Sequence, residues 1–193
     1  MEEEIKQIVA TKAALRKEML SQRAFLNKAK KREYDRLVCD ALWQIIEERN
    51  YQVIHAYLPM GTEINITSLL EKLLVNGKTV VTPKTLPKRK LQNLVLKSLC
   101  EIEQGVFGTT HPANSFEYEG HYDLIIVPGL AYDKNNYRLG YGAGYYDNFL
   151  INQPKAYKVG IFYPIQEVGE VPREAHDVRL DFLIDVEGVF DQK

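Results

Sequence analysis

The stretch QVIHAYLPMGTEINITSLLEKLLVNGKTVVTP, residues 52–83, decides the fold class of this chain. Its first part, QVIHAYL (52–58), has the apolar and aromatic character of a strand. ITSLLEKLLVNG (66–77) then repeats leucines at helical spacing and closes on Gly77, a residue favoured just past helix ends. KTVVTP (78–83) is typical of a second strand. Strands that alternate with helices predict a layered α/β domain with a mostly parallel sheet.

The chain on either side of this unit fits the same architecture. Upstream, apolar residues recur at helical spacing within residues 5–19 and again within residues 37–46, and Asn27 is a suitable N-cap for the second helix. Downstream, short apolar runs predict further strands, namely LQNLVLKSL (91–99), YDLIIVPG (122–129), YKVGIFY (157–163) and DFLIDV (181–186). The most loop-like parts are PKTLPKRKLQN (83–93) and FGTTHPANSFEYEGH (107–121). Because the sequence has no internal repeat and no low-complexity linker, we predict one domain over residues 1–193.

Composition and charge argue against several classes of protein. The formal net charge of −1 gives no general attraction to nucleic acid or to a membrane surface. No apolar run approaches the roughly 20 residues that a membrane-spanning helix needs, and the acidic start MEEE is unlike a secretory signal. Cys39 and Cys100 form no CxxC pair, which is typical of a reducing compartment. We therefore expect a soluble, cytoplasmic protein, and the sequence indicates no obligate protein partner.

The segment RLGYGAGYYD (138–147) is the strongest candidate for a functional site. It lies beyond the predicted strand 122–129, and in open α/β sheets ligands bind outside the carboxyl ends of strands. Its three glycines can take positive φ and let a ligand approach the backbone, and a helix start presents free N–H groups to an anion. The guanidinium of Arg138 suits phosphate oxygens, and Asp147, in the first turn or two of the following helix, suits Mg²⁺ beside those phosphates.

Two interpretations of this segment stay open on the residues alone. It either wraps the phosphates of a nucleotide or forms a tight strand-to-helix turn with packing tyrosines. It is not a Walker A loop, because no Gly-Lys-Ser/Thr follows, and its glycine spacing differs from that of the dinucleotide-binding fingerprint.

The longer stretch PGLAYDKNNYRLGYGAGYYDNFL (128–150) closely resembles the signature of the 5-formyltetrahydrofolate cyclo-ligase family. Three more segments fit that family in the right order: KAALRKEML (12–20), YLPMGTEI (57–64) and VPREAHDVRLD (171–181). The resemblance implies a three-layer α/β/α fold with the N-terminal helices packed on the sheet. It also implies ATP- and Mg²⁺-dependent conversion of 5-formyltetrahydrofolate to 5,10-methenyltetrahydrofolate with release of ADP and phosphate. The implied route is phosphorylation of the formyl oxygen by ATP, followed by attack of the folate N10.

The same resemblance implies which residues form the site. ATP is expected to contact Lys12, Arg16, Arg138, Leu139, Gly140, Tyr141, Gly142, Ala143, Gly144, Tyr145 and Tyr146. The folate is expected to contact Leu58, Glu63, Tyr141, Gly142, Ala143, Gly144 and Tyr145. The implied metal ligands are Asp147 and Asp177, and the implied catalytic residues are Arg138, Tyr145 and Asp147.

Each of these side chains also has a simpler interpretation. Lys12 and Arg16 share a helix face, either as phosphate ligands or as a solvated pair. Glu63 either accepts two parallel N–H donors from the pterin or is a surface carboxylate. Asp177 either binds the metal or caps a turn. His176 beside it is set aside as a surface residue.

The chain also departs from the family's pattern. His111 stands where a glutamate is usual, so substrate affinity can differ here. Asn136 stands in a turn that commonly contains glycine, and asparagine tolerates the left-handed conformation required there. A basic cluster, Lys88, Arg89 and Lys90, is expected to attract the acidic tail of a polyglutamylated folate by screened electrostatics.

Three other functions compete with the family's activity. One is an ATP-dependent phosphotransferase with a different substrate, and another is a catalytically silent folate- or nucleotide-binding regulator. The phosphate-and-metal set of Arg138, Asp147 and Asp177 argues against the silent regulator. A nucleic-acid-binding module comes last, because the net charge does not favour it.

Overall fold

The fold is described by a computed structural model covering residues 2–185. Within these residues the helices are α1 (Glu2–Ala24), α2 (Lys28–Glu48), α3 (Thr67–Val75) and α4 (Tyr145–Leu150). The strands are β1 (Val53–His55), β2 (Thr79–Leu86), β3 (Lys90–Val95), β4 (Ile102–Gln104), β5 (Thr110–Pro112), β6 (Leu124–Val127), β7 (Ala131–Tyr132), β8 (Arg138–Leu139), β9 (Tyr157–Ile161) and β10 (Phe182–Ile184). Met1 and residues 186–193 lie outside the described residues. The predicted domain includes all of them, and the last predicted strand ends among them, at residue 186.

Six strands form the central sheet in the order β10-β9-β6-β1-β2-β3. The first five of these strands pair in parallel. The sixth, β3, lies at the edge of the sheet and pairs antiparallel with β2. This confirms the prediction of a layered α/β fold with a mostly parallel sheet. The quoted stretch of residues 52–83 forms the β1–α3–β2 unit, in which Ile54 pairs with Val80.

Helices cover both faces of the sheet because successive strand residues alternate between the faces. On one face, Ile54, Leu124 and Ile126 pack in a cluster with the buried residues of α2 and α3. On the other face, Ile125 and Val127 pack in a cluster that includes Leu150 of α4. The strands are therefore covered on both sides, as their continuous apolar runs predict.

The first helix reaches the small β7–β8 ribbon beside the sheet. Met19 of α1 is buried in a cluster with Leu130, Ala131, Leu139 and Val171. This contact brings the polar face of α1 against the chain that enters the glycine-rich segment.

Signals at the helix and turn ends are confirmed. Asn27 is the N-cap of α2, and its side chain accepts a hydrogen bond from the backbone N–H of Ala29 at 2.8 Å. Gly77 lies two residues beyond α3 with a φ of 71°. Asn136 has a φ of 64°, so the turn before Arg138 keeps the left-handed conformation.

The prediction of a loop over residues 83–93 is wrong, because most of this segment is the β2–β3 hairpin, with Pro83 opposite Asn93 and Leu86 opposite Lys90. Beyond Val81 the partner of β2 is β3, so the missing N–H of Pro83 interrupts no pairing with β1. Within the second predicted loop, residues 107–121, only β5 forms a strand among the described residues, paired with β4. Among residues 2–185, no helix is long and apolar enough to cross a membrane.

Candidate active site

A cleft of about 430 Å³ opens beyond the carboxyl ends of β1 and β6. Every residue expected to contact ATP, the pterin or the metal lines it, whereas Lys88, Arg89 and Lys90 do not. The N-terminal helix, the segment after β1, the glycine-rich segment and residues 174–177 therefore surround one space. The remaining lining residues are Tyr57, Met60, Pro83, Thr85, Leu91, Phe107, Thr109, Thr110, Pro128, Glu174 and His176. The resemblance to the family implied that the predicted ATP, pterin and metal contacts form one site, and in the fold they line one cleft.

The glycine-rich loop, residues 140–144, connects β8 to α4 and is held by the first helix. Arg16 donates from Nε to the carbonyl oxygen of Gly140 at 2.9 Å. Gly142 has a φ of 105°, and a Cβ built there would lie 3.0 Å from the Arg16 guanidinium carbon. Gly144 is the N-cap of α4 with a φ of 70°. Gly140 does not share this conformation, so only two of the three glycines adopt the positive φ considered from the sequence.

Arg138 and Asp147 form an ion pair at the base of the cleft. Arg138 Nη2 lies 3.0 Å from Asp147 Oδ1, and the arginine side chain is only 2% exposed. Arg138 also donates from Nη1 to the carbonyl of Val178 at 3.2 Å, and the N–H of Val178 donates to Asp147 Oδ1 at 3.2 Å. The pair thus joins the start of α4 to the segment after Asp177.

The acidic turn, residues 174–177, faces Lys12 of the first helix. Lys12 Nζ lies 2.8 Å from Glu174 Oε2 and 2.6 Å from Asp177 Oδ2. Asp177 also accepts from the backbone N–H of Glu174 at 2.8 Å, so it does cap its own turn. Sequence reasoning missed Glu174, which the i, i+3 spacing of two carboxylates in EAHD offered as a signal.

These carboxylates provide the donor types that suit Mg²⁺. Ligand atoms of Glu174, His176 and Asp177 lie within 4.8 Å of one another, and Asp147 does not belong to that group. The residues therefore fit a divalent cation chemically, with Lys12 and Arg138 as the cations that neutralise them here.

Glu63 is a buried carboxylate that lines the cleft after β1. It is 6% exposed, and its Oε2 accepts from the backbone N–H of Met60 at 2.9 Å. Burial raises the pKa of this carboxyl above the ordinary value, while the Met60 N–H and the nearby charge of Arg23 oppose the rise. A carboxylate held by its own turn, with Leu58 beside it in the lining, can accept donors from a ligand.

Two tyrosines at the start of α4 differ in their surroundings. Tyr145 donates from its hydroxyl to the carbonyl of Leu86 at 3.1 Å, which ties the β2–β3 hairpin to the end of the glycine-rich loop. The hydroxyl of Tyr146 is buried, and no hydrogen-bond partner for it lies among the described residues. Burial and the Glu63 charge both raise the pKa of Tyr146, so it stays a neutral donor. Such a hydroxyl is available to a bound ligand.

The other residues considered from the sequence fall in different places. His176 lines the cleft with its side chain 57% exposed. His111 is buried and lies 3.4 Å from Glu103 across the β4–β5 pair. The side chain of Arg89 comes within 3.9 Å of where a Cβ at Gly144 would lie. Of the basic cluster, Arg89 thus lies beside the glycine-rich loop.

The model of the 5-formyltetrahydrofolate cyclo-ligase family matches residues 8–185. A 5-formyltetrahydrofolate cyclo-ligase of Haemophilus influenzae is 31% identical over 178 residues, which covers 88% of this chain and 95% of the relative. The solution structure of Aquifex aeolicus 5,10-methenyltetrahydrofolate synthetase superposes with a TM-score of 0.80 at 30% identity, covering 91% of this chain and 90% of that one. A 5,10-methenyltetrahydrofolate synthetase from Mycoplasma pneumoniae gives a TM-score of 0.73 at 27% identity, covering 90% and 97%.

Proposed function

The chain belongs to the 5-formyltetrahydrofolate cyclo-ligase family, and we propose that it converts 5-formyltetrahydrofolate to 5,10-methenyltetrahydrofolate with ATP and Mg²⁺, releasing ADP and phosphate. The observation that supports this most is the pairing of two unlike features in one cleft. A buried carboxylate, Glu63, and a glycine-rich loop followed by Asp147 both line it. The first suits the N–H donors of a pterin, and the second suits phosphates.

The proposed reaction begins with the formyl oxygen, which is itself a nucleophile. It attacks the γ-phosphorus of ATP, the bond from that phosphorus to the β–γ bridging oxygen breaks, and ADP leaves. N10 of the folate then attacks the activated carbon, the carbon–oxygen bond to phosphate breaks, and N10 loses its proton. This chemistry requires positioning and neutralisation of phosphate charge more than it requires a strong protein base.

In this proposal the chain's own cations and N–H groups hold the triphosphate. Lys12 and Arg16 approach from α1, and the backbone of residues 140–144 cradles the phosphates with Arg138 beneath them. Bound Mg²⁺ would neutralise charge on the transferring phosphoryl group, and Asp147 and Asp177 would hold it, with Glu174 a further carboxylate in reach. Lys12 and Arg138 lie against these carboxylates, so they would exchange partners when phosphate and metal bind.

The folate would bind at Glu63 and Leu58 in this proposal. Glu63 would accept two N–H donors of the pterin, with Leu58 against the ring and residues 141–145 between the two substrates. Lys88, Arg89 and Lys90 at the hairpin tip would attract the glutamyl tail. We further propose that the chain works as one domain, and its cytoplasmic location stays a prediction.

The test is an absorbance assay that follows methenyltetrahydrofolate formation from 5-formyltetrahydrofolate, ATP and Mg²⁺. We expect turnover that requires all three, and we expect Asp147→Asn to lower kcat/KM by about 100-fold or more, the order of loss seen when one group that stabilises transition-state charge is removed. Asp40→Asn is the matched control, because Asp40 is 62% exposed on α2 and lies outside the cleft lining.

Circular dichroism would show that both variants are folded at the assay temperature. Folded wild-type protein that forms no product contradicts the proposal. ATP hydrolysis that does not depend on 5-formyltetrahydrofolate would instead favour a phosphotransferase with another substrate.

A further inference from the structure

Arg23, in the last turn of α1, is a buried arginine that neither the proposed phosphate site nor the metal site uses. It is 3% exposed. Burying a guanidinium is unfavourable unless its charge and its N–H donors are compensated. A buried arginine therefore needs a partner of opposite charge, or a role that compensates for the cost of burying it.

The hydrogen bonds of Arg23 do not account for its burial. Nη1 donates to the carbonyl of Gly129 over a long 3.4 Å, and that carbonyl already accepts from Gln166 at 3.0 Å. Nε is buried and has no hydrogen-bond partner within residues 2–185. Its remaining bond, from Nη2 at 3.2 Å, goes to the hydroxyl of Tyr141 in the glycine-rich loop. The hydrogen bonds within the fold therefore leave part of the donor capacity of Arg23 unused.

The charge of Arg23 acts on Glu63. Tyr141, which accepts from Arg23, lines the cleft together with Glu63, and it lowers the pKa of that carboxyl. The positive charge of Arg23 lowers the pKa of Glu63 and so works against the effect of burial. Other ionisable groups face this carboxylate from the remaining elements around it: Lys31 of α2, Tyr57 after β1, Tyr146 of α4 and Tyr163 after β9.

We propose that Arg23 is a positioning residue for the folate: from its buried place at the end of α1 it holds Tyr141 beside Glu63 and supplies the positive charge next to which Glu63 accepts the N–H donors of the pterin. This inference rests on the proposed function, because it deepens the role given there to Glu63. Arg23 touches neither ATP nor the reacting atoms in this scheme and reaches the nucleotide only through Tyr141, so its removal weakens folate binding more than nucleotide binding.

The experiment measures equilibrium binding by isothermal titration calorimetry, between pH 5.5 and 8.5, with 5-formyltetrahydrofolate and separately with Mg·ATP. The variants are Arg23→Gln, Arg23→Lys, Glu63→Gln and the two Arg23 variants in the Glu63→Gln background. Arg36→Gln is the matched control, since Arg36 is 63% exposed on α2.

We expect Arg23→Gln to weaken folate binding by about 10- to 100-fold, the range for a lost charge-assisted contact, and to weaken ATP binding by a much smaller factor. The loss of folate affinity should grow as pH falls. Removing the positive charge raises the pKa of Glu63 further, so the carboxylate protonates, and stops accepting two donors, at a higher pH than in wild type. Arg23→Lys should restore the wild-type pH profile with only part of the affinity. In the Glu63→Gln background, Arg23→Gln should have little further effect.

Equal losses for folate and ATP, a loss that does not depend on pH, or full additivity with Glu63→Gln would each show a merely structural role and overturn the inference. If Arg23→Gln does not fold, Arg23→Lys decides: we expect it to weaken folate binding in the wild-type background and not in the Glu63→Gln background. Wild-type protein that binds 5-formyltetrahydrofolate but never turns it over refutes the proposed function and leaves this inference standing. Wild-type protein that binds no 5-formyltetrahydrofolate overturns both.

Discussion

His55 is a titratable side chain that the fold keeps neutral. It lies in β1 and is fully buried, with Nε2 at 3.0 Å from Asn93 Oδ1 and its ring 4.6 Å from that of Phe149 of α4. Burial lowers the pKa of His55 from 6.5 to about 4. It serves as a packing residue between the sheet and the helix that begins at the glycine-rich loop.

This pKa shift predicts how stability depends on pH. Between pH 6.5 and about 4, the unfolded chain binds a proton at His55 and the folded chain does not, so stability falls as pH falls through that window. The loss amounts to about 3 kcal/mol, at about 1.4 kcal/mol for each pKa unit. Urea unfolding at pH 7, 5.5 and 4 measures it. His55→Leu should flatten this dependence, whatever its effect at pH 7. A variant with the same pH dependence as wild type would contradict the neutral state of His55.

At the scale of elements, the glycine-rich loop and α1 depend on each other. Gly142 takes a φ of 105° directly beneath the Arg16 guanidinium, whereas a Cβ at Gly140 would meet no atom within 4 Å. We expect Gly142→Ala to lower the free energy of unfolding by about 1–2 kcal/mol or more, because an L-residue is strained at that φ. It should also displace Arg16 and weaken ATP binding.

Gly140→Ala is the matched control for that change. It adds the same methyl group two residues away, in open space and without a positive φ, so we expect its stability to stay within about 0.5 kcal/mol of wild type. Urea unfolding compares the two variants, and an ATP titration measures the affinity. Equal destabilisation by both would show that loop conformation and contact with Arg16 do not distinguish the positions.

Local signals explain why some elements could be predicted from the sequence. Glycines, an asparagine cap and helical spacing act within a few residues, so the glycine-rich loop, Asn27 and the β1–α3–β2 unit are visible in the chain itself. Both strands of the β2–β3 hairpin were predicted, but the extension of β2 to Leu86 was missed, because Pro83 and the basic cluster resemble a loop. Only the end of pairing with β1 makes that proline acceptable. Arg23 and Glu174 were missed because their partners Tyr141 and Lys12 lie 118 and 162 residues away.

At the scale of the whole molecule, the cleft joins parts of the chain that are distant in sequence. Lys12 ties α1 to the acidic turn, Arg16 ties it to the glycine-rich loop, and Tyr145 ties that loop to the β2–β3 hairpin. These ties are few, and two of them involve cations proposed to bind phosphate. A bound triphosphate would replace them with stronger charge-assisted contacts to the same segments.

Ligand binding should therefore stabilise the fold as a whole. A ligand that binds only the folded state at about 100 times its Kd adds about 2.7 kcal/mol, which for a chain of this size raises Tm by about 5–10 °C. We expect this rise with Mg·ATP in differential scanning calorimetry, and a much smaller rise when EDTA removes Mg²⁺, because the acidic turn and Asp147 then repel the phosphates.

Arg16→Met should reduce the rise at a fixed ATP concentration, while Arg36→Met, on the exposed face of α2, should leave it intact. A Tm shift that is the same with and without Mg²⁺ would mean that the carboxylates of the cleft take no part in holding a metal with the nucleotide.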